Sequence, residues 1–215
     1  SFAIFSAISI ERSQLKDIAT LGEQEQELHW AIAPDEESLT DRVPVKLLLE
    51  EAKELNVYST SFDSPSWDGL GHFQVLFSIF NRFQIQKQYG ISNEKLFRFL
   101  CEIRDTYNPV PYHNWRHAVD VTQFVTFEVI TAKYDKIFTS FEIFALTVAS
   151  ICHDANHDGF NNVFNIKAET PLGILFKNQS VMETHHCSIS IDVISKPQCN
   201  LFKNLDQADF KRMWT

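Results

Sequence analysis

The chain is short of several things that mark whole protein classes. Its four cysteines, Cys101, Cys152, Cys187 and Cys199, form no CxxC pair and are too sparse for a secreted disulfide scaffold. They read as reduced, mostly buried thiols in a cytoplasmic protein. Six glycines and seven prolines in 215 residues exclude a collagen-like or proline-rich disordered chain. No run approaches the ~18 uncharged apolar residues of a membrane span. Ser1 to Ile10 is apolar, yet no initiator Met, basic segment or clear cleavage site accompanies it, so a signal peptide is not indicated. Positive charge is scarce too: 19 Lys and Arg against 28 Asp and Glu leave a formal net charge of −9. That disfavours a nonspecific binder of nucleic acid or anionic membrane, while an anionic small substrate stays open at a metal site.

What is present suits one domain, or one domain with a piece of another: 44% of residues are hydrophobic and 22% charged. Ser1 to Ile10 reads as a short strand closing something upstream. From Glu11 to about Ile32 the pattern becomes acidic and helical, with Leu15, Ile18, Leu21 and Leu28 at near-helical spacing. This suits a linker helix over residues 11–35, ended by Pro34, and a candidate homodimer contact. The opening without Met and the close on Thr215 give the expectation of an excerpt from a longer protein.

Residues 36–215 read as helical, with an all-α fold expected from about Trp67. Gly69 to Tyr89 carries Leu70, Phe73, Leu76, Phe77, Phe80 and Phe83 at three- and four-residue spacing, which predicts one helix. Gly90 ends it and Ser92 caps the next, through about Tyr107. Pro109 and Pro111 precede a helix expected from His113 to about Lys133. Thr139 with Glu142 forms a capping box for an apolar, buried helix reaching Cys152. Thr170-Pro171 starts another helix, and Met182 to Ile194 and Gln207 to Trp214 complete the set. The nineteen phenylalanines are expected mostly in the core.

The histidines are placed unusually. His113 and His117 are four apart, which on a helix puts both rings on one face. His153 and Asp154 follow the apolar helix, with His157 shortly after, and Glu183 precedes His185 and His186. A lone helical histidine is ordinarily a surface or core residue, and His185 and His186 read equally as plain surface residues or as supports of a site. The His153-Asp154 pair carries more weight, because burying a carboxylate without a partner costs several kcal/mol and a cation offsets that cost. Imidazole and carboxylate donors suit divalent metals, with Asp154 able to bridge to a second, harder ion.

These motifs resemble, in order and spacing, those of class I 3',5'-cyclic nucleotide phosphodiesterases. Tyr112-His113-Asn114-Trp115-Arg116-His117-Ala118 is similar to the family's H-N-x-x-H-A element. The segment from His153 to Asn162 is similar to H-D-x-x-H-x-G-x-x-N, and Ser180 to His186 to S-V-[LM]-E-x-H-H, with Thr170-Pro171-Leu172 between them. The likeness spans about Glu36 to Thr215, and Phe2 to Phe5 with the acidic connector resembles the end of a GAF domain and its linker.

The resemblance implies a compact multi-helix metal-hydrolase domain of HD type that cleaves cAMP or cGMP in cyclic nucleotide signalling. It implies His117, His153 and Asp154 as ligands of a tightly held zinc, with Asp154 shared with Mg²⁺ or Mn²⁺. His113 is the implied proton donor, and Tyr112 lines the nucleotide pocket. His157, Glu183 and His185 hold waters on the second metal. Asn156, Asp158 and Thr184 depart from the family pattern at non-ligand positions. A fourth zinc carboxylate and the purine-reading Gln and Phe belong, in that family, further downstream. The expectation is therefore a C-terminally truncated domain, incomplete for turnover by itself. Two other readings stand beside it: another HD-type nucleotide metallohydrolase, and a non-catalytic regulatory or dimerisation fragment.

Overall fold

The computed structural model describes residue 53, residues 56–63 and residues 69–213; the expected N-terminal strand and linker helix lie outside these. Among the described residues the regular structure is entirely helical. Eleven aromatic and aliphatic side chains of two helices form the centre. In α1 (Leu70–Arg82), Phe73, Val75, Leu76, Phe77, Ile79 and Phe80 are buried, and in α3 (Asn93–Thr106), Leu96, Phe97, Phe99, Leu100 and Ile103. Each large apolar side chain removed from water contributes about 1.5–3 kcal/mol before entropy is counted.

The expected single helix from Gly69 to Tyr89 is two. Gln84 takes a left-handed conformation with φ 56°, ending α1 and starting the short α2 (Ile85–Tyr89). No glycine or proline marks this break; Ile85 and Tyr89 are both buried and the bend turns them inward. Gly90, φ 62°, then ends α2, and Ser92 caps α3 by accepting from the Lys95 amide at 3.1 Å.

Two long helices carry the chain from this core toward the histidines. In α4 (Trp115–Thr131), Ala118, Val119, Thr122, Gln123, Thr126 and Val129 face inward. The Gln123 amide anchors residues 57–59 by donating to the Val57 and Ser59 carbonyls at 2.7 and 3.0 Å. Its neighbour α5 (Ser140–Cys152) has the expected capping box. Phe144 of α5 is fully buried against Phe80, Tyr89 and Phe202, stacking on Tyr89 at 4.7 Å. Three helices follow: α6 (Asn162–Lys167), which the sequence pattern did not predict, α7 (Pro171–Leu175), capped by Thr170, and α8 (Val181–Ser195). The chain then reaches α9 (Gln207–Met213). Not every phenylalanine joins the core: Phe124, Phe138, Phe160, Phe164 and Phe210 are exposed. No described helix is long and apolar enough to cross a membrane.

Candidate metal centre and active site

Two irregular segments meet at the C-terminal end of α5. The first, residues 107–114, joins α3 to α4; the second, residues 153–161, joins α5 to α6. Several bonds tie them. The buried Tyr107 hydroxyl donates to the Ile151 carbonyl at 2.8 Å and lies 3.3 Å from the Asp154 amide that donates to it. Asn108 donates through its side chain to the His157 carbonyl at 3.0 Å, and Asn156 to the Thr106 carbonyl at 3.3 Å. Gly159 takes φ +88°, a backbone conformation that side chains rarely adopt, while a Cβ there would make only ordinary contact with the Val110 side chain at 3.5 Å.

Asn114 accepts from the His117 amide at 3.2 Å and so caps α4, with its side-chain amide holding the Val110 carbonyl at 2.9 Å. His113 therefore stands before the cap and not on the helix, as the sequence pattern had placed it. Its ring centroid still lies 5.8 Å from that of His117. His117 sits in the first turn of α4, and His153 is the C-terminal cap of α5.

His117, His153 and Asp154 bring one donor atom each to a common point. The Nε2 atoms of the two histidines are 3.4 Å apart, and Asp154 Oδ2 lies 3.4 Å from the first and 3.0 Å from the second. His153 Nδ1 meets the Ser150 carbonyl at 2.8 Å, so that nitrogen carries the proton and Nε2 faces the cluster. A second group shares Asp154 and adds His157 and His186. His186 Nδ1 donates to the Ala155 carbonyl at 2.7 Å, which turns Nε2 toward Asp154 Oδ1 at 3.7 Å. His157 is set the other way round: Nδ1 accepts from the Gly159 amide at 2.9 Å, so the neutral ring carries its proton on Nε2. His157 is thereby a donor, able to hold a water or a phosphate oxygen.

Charge follows this arrangement. Burial works to raise the Asp154 carboxyl, but the hydrogen bond and charge of His153, then the charges of His186 and His113, hold it down to about 2. Burial pushes His186 down to about 4, and also lowers His117 and His157. His153 goes upward: burial opposes its charge, and bonds to Asp154 and Ser150 outweigh that. A carboxylate with imidazole lone pairs around it is the donor set a divalent cation fits.

The remaining expected residues lie around this centre. Tyr112 is exposed, its ring 4.6 Å from that of His117 and 4.9 Å from that of His113. Glu183 opens α8 on the surface, where the Asn162 amide holds its carboxylate at 3.0 and 3.2 Å. His185 lies outside both donor groups and meets the Asn156 side-chain oxygen at 2.9 Å. Its neighbour His186 is the one that enters. His186 falls on the same helical stripe as Met182, Ser190 and Val193, all buried; nothing in the sequence favours it, since His185 shares a stripe with the equally apolar Val181 and Ile189.

Comparison with known proteins agrees with this geometry. Residues 112–215 match the family model described as 3'5'-cyclic nucleotide phosphodiesterase, starting at Tyr112 itself. The chain is 32% identical over 219 positions to a cGMP-specific 3',5'-cyclic phosphodiesterase of Drosophila melanogaster, covering 98% of this chain and 19% of that protein. The protein of the same description from Drosophila mojavensis is 30% identical over 214 positions, with the same coverage. The chain thus spans about a fifth of the length of these curated relatives. Among solved structures, the phosphodiesterase domain of Salpingoeca rosetta rhodopsin phosphodiesterase aligns with a TM-score of 0.72 and 28% identity. That alignment covers 80% of this chain and 52% of the other.

Proposed function

The chain belongs to the class I 3',5'-cyclic nucleotide phosphodiesterase family, and on that premise we propose that the protein carrying it hydrolyses cAMP or cGMP to the 5'-nucleoside monophosphate. The observation that carries this reading is the convergence of His117, His153 and Asp154 within bonding reach of one point, with His113 one ring away.

His117, His153 and Asp154 would hold the tighter cation, zinc, and the other oxygen of Asp154 would face a second, Mg²⁺ or Mn²⁺. Such ions, when bound, neutralise phosphate charge and make a water nucleophilic near neutral pH. The protein's own groups supply the rest. The water oxygen forms a bond to phosphorus as the bond from phosphorus to the 3' oxygen breaks, and that oxygen is a poor leaving group as an alkoxide. His113 gives it a proton. His157, Glu183 and His185 would hold waters of the second cation, and Tyr112 flanks the nucleotide. Residues 36–215 are the N-terminal part of the catalytic domain, in a cytoplasmic protein. Residues 1–10 and 11–35 are the end of a GAF domain and a linker helix through which two copies pair.

The test uses the full-length protein, with metal content and turnover of cAMP and cGMP measured together. His117→Ala and Asp154→Ala are expected to lose zinc and nearly all turnover. His113→Ala is expected to keep the metal and lose about 10²–10⁴-fold in rate, with a smaller loss on a phosphodiester whose leaving group needs no proton. If His113→Ala strips the metal as fully as His117→Ala, this division of roles is wrong.

A further inference from the structure

Among the described residues the His113 ring makes no hydrogen bond, yet it is not left loose. It lies flat on the His157 ring, with centroids 3.9 Å apart and planes within 11°. His157 also neighbours His186, nearly parallel at 5.4 Å and 21°. Both supporting rings are fixed by the backbone: His157 Nδ1 accepts from the Gly159 amide at 2.9 Å, and His186 Nδ1 donates to the Ala155 carbonyl at 2.7 Å. The segment that carries His113 is sewn to the same loop through the Asn108 bond to the His157 carbonyl. His157 is buried, with 7% of its surface exposed, so it has little freedom to turn away. The rings of Tyr112 and His117 stand at 84° and 90° to the His113 ring, centroids 4.9 and 5.8 Å away, which confines its rotation further.

From this geometry we propose that His157 is a positioning residue for His113, setting the plane of the imidazole by face-to-face stacking so that its N–H is aimed before substrate arrives. The proposal rests on the reading of His113 as the proton donor. A flat ring against a flat ring restricts tilt while leaving the ring edge, where the nitrogens lie, free to point at a leaving group. Fixing a donor in this way removes an orientational cost that misplacement would otherwise add to the barrier, and such misplacement can cost roughly 10²-fold.

Two variants of the full-length protein separate stacking from the ring's other bonds. His157→Gln keeps a side-chain acceptor for the Gly159 amide and loses the ring; His157→Phe keeps a ring and loses the nitrogens. The first readout is independent of turnover: the carbon-bound protons of the His113 ring, identified by their absence in His113→Asn, in histidine-labelled protein. They are expected to lie upfield in the parent, to stay so in His157→Phe and to lose that shift in His157→Gln. The second readout is the ratio of the rate on cyclic nucleotide to the rate on an aryl phosphodiester that needs no acid. It is expected to fall about 10²-fold in His157→Gln and to be largely retained in His157→Phe, both assayed at saturating divalent metal. Unmoved His113 resonances in His157→Gln, or equal loss of the ratio in both variants, would overturn the proposal. A parent without cyclic nucleotide turnover sinks the functional reading instead, and the proton shifts then decide the stack.

Discussion

At its N-terminal end α5 is closed by residues three apart: the Thr139 amide donates to Glu142 at 2.7 Å, and the Glu142 amide to the Thr139 hydroxyl at 3.3 Å. At its C-terminal end the same helix delivers His153 to a partner 36 residues away, His117, and the Asp154 amide to one 47 residues away, Tyr107. The first end is exposed and assembled from its own sequence; the second is half-buried and exists only when α3, α4 and the loop after α5 have come together. Between them Phe144 joins the helix to the aromatic core. A local device forms with the helix it caps. A centre made of distant donors inherits its precision from everything that holds those donors: backbone groups pin the His153, His157 and His186 rings.

The sharpest way to break this contrast is to remove what both ends share. Phe144→Ala leaves a cavity where Phe80, Tyr89 and Phe202 meet and is expected to cost about 3–5 kcal/mol in urea unfolding. That loss should be the same with and without a chelator, because it lies in the core and not in the donor set. A loss that disappears on adding chelator would mean that Phe144 acts through the metal centre.

Between pH 7 and pH 5 acidity addresses the C-terminal end, since the capping Glu142, held low by its bonds to Thr139, titrates below that range. The ordinary value for His186 is 6.5, and burial holds it at about 4 in the folded chain. Between those values the unfolded chain takes up a proton and the folded chain does not, so stability falls as pH drops from about 6.5 toward about 4. A shift of that size corresponds to something on the order of 3 kcal/mol. Asp154 acts in the same sense lower down, between 3.8 and about 2. His153, raised by Asp154 and Ser150, works the opposite way: its contribution is present below 6.5 and lost as pH rises through its higher folded value. Urea midpoints at pH 7 and pH 5 in chelator should therefore drop in the parent and drop less in His186→Gln; equal drops would clear His186 of this role.

The smallest effect is expected at the other end. Thr139→Ala removes the cap hydroxyl and should cost about 1 kcal/mol. The metal-dependent part of the stability should be untouched, since the cap is a helix length from His153. A change in bound metal in this variant would show that the two ends of α5 are coupled.

The sequence by itself determined the helical class, most helix limits and the identity of the cluster. Apolar spacing and cap residues are local signals, and Ser92, Thr139 and Thr170 each cap the helix they precede. The motifs around His113, His153 and Glu183 also stood in the sequence as a resemblance, because spacing along a chain needs no fold to be seen. Only the tertiary structure decided the rest. Gln84 breaks a helix without a breaking residue because burial of Ile85 and Tyr89 outweighs the local preference. Asn114, once tied to Val110, takes the cap and leaves His113 off the helix. The choice of His186 over His185 for the cluster follows from which face of α8 meets the loop after α5. So does the direction of the ring nitrogens of His153, His186 and His157, fixed by the Ser150 and Ala155 carbonyls and the Gly159 amide. A hydrogen bond selects a tautomer only when its partner is in place, and distant chain segments are put in place by folding.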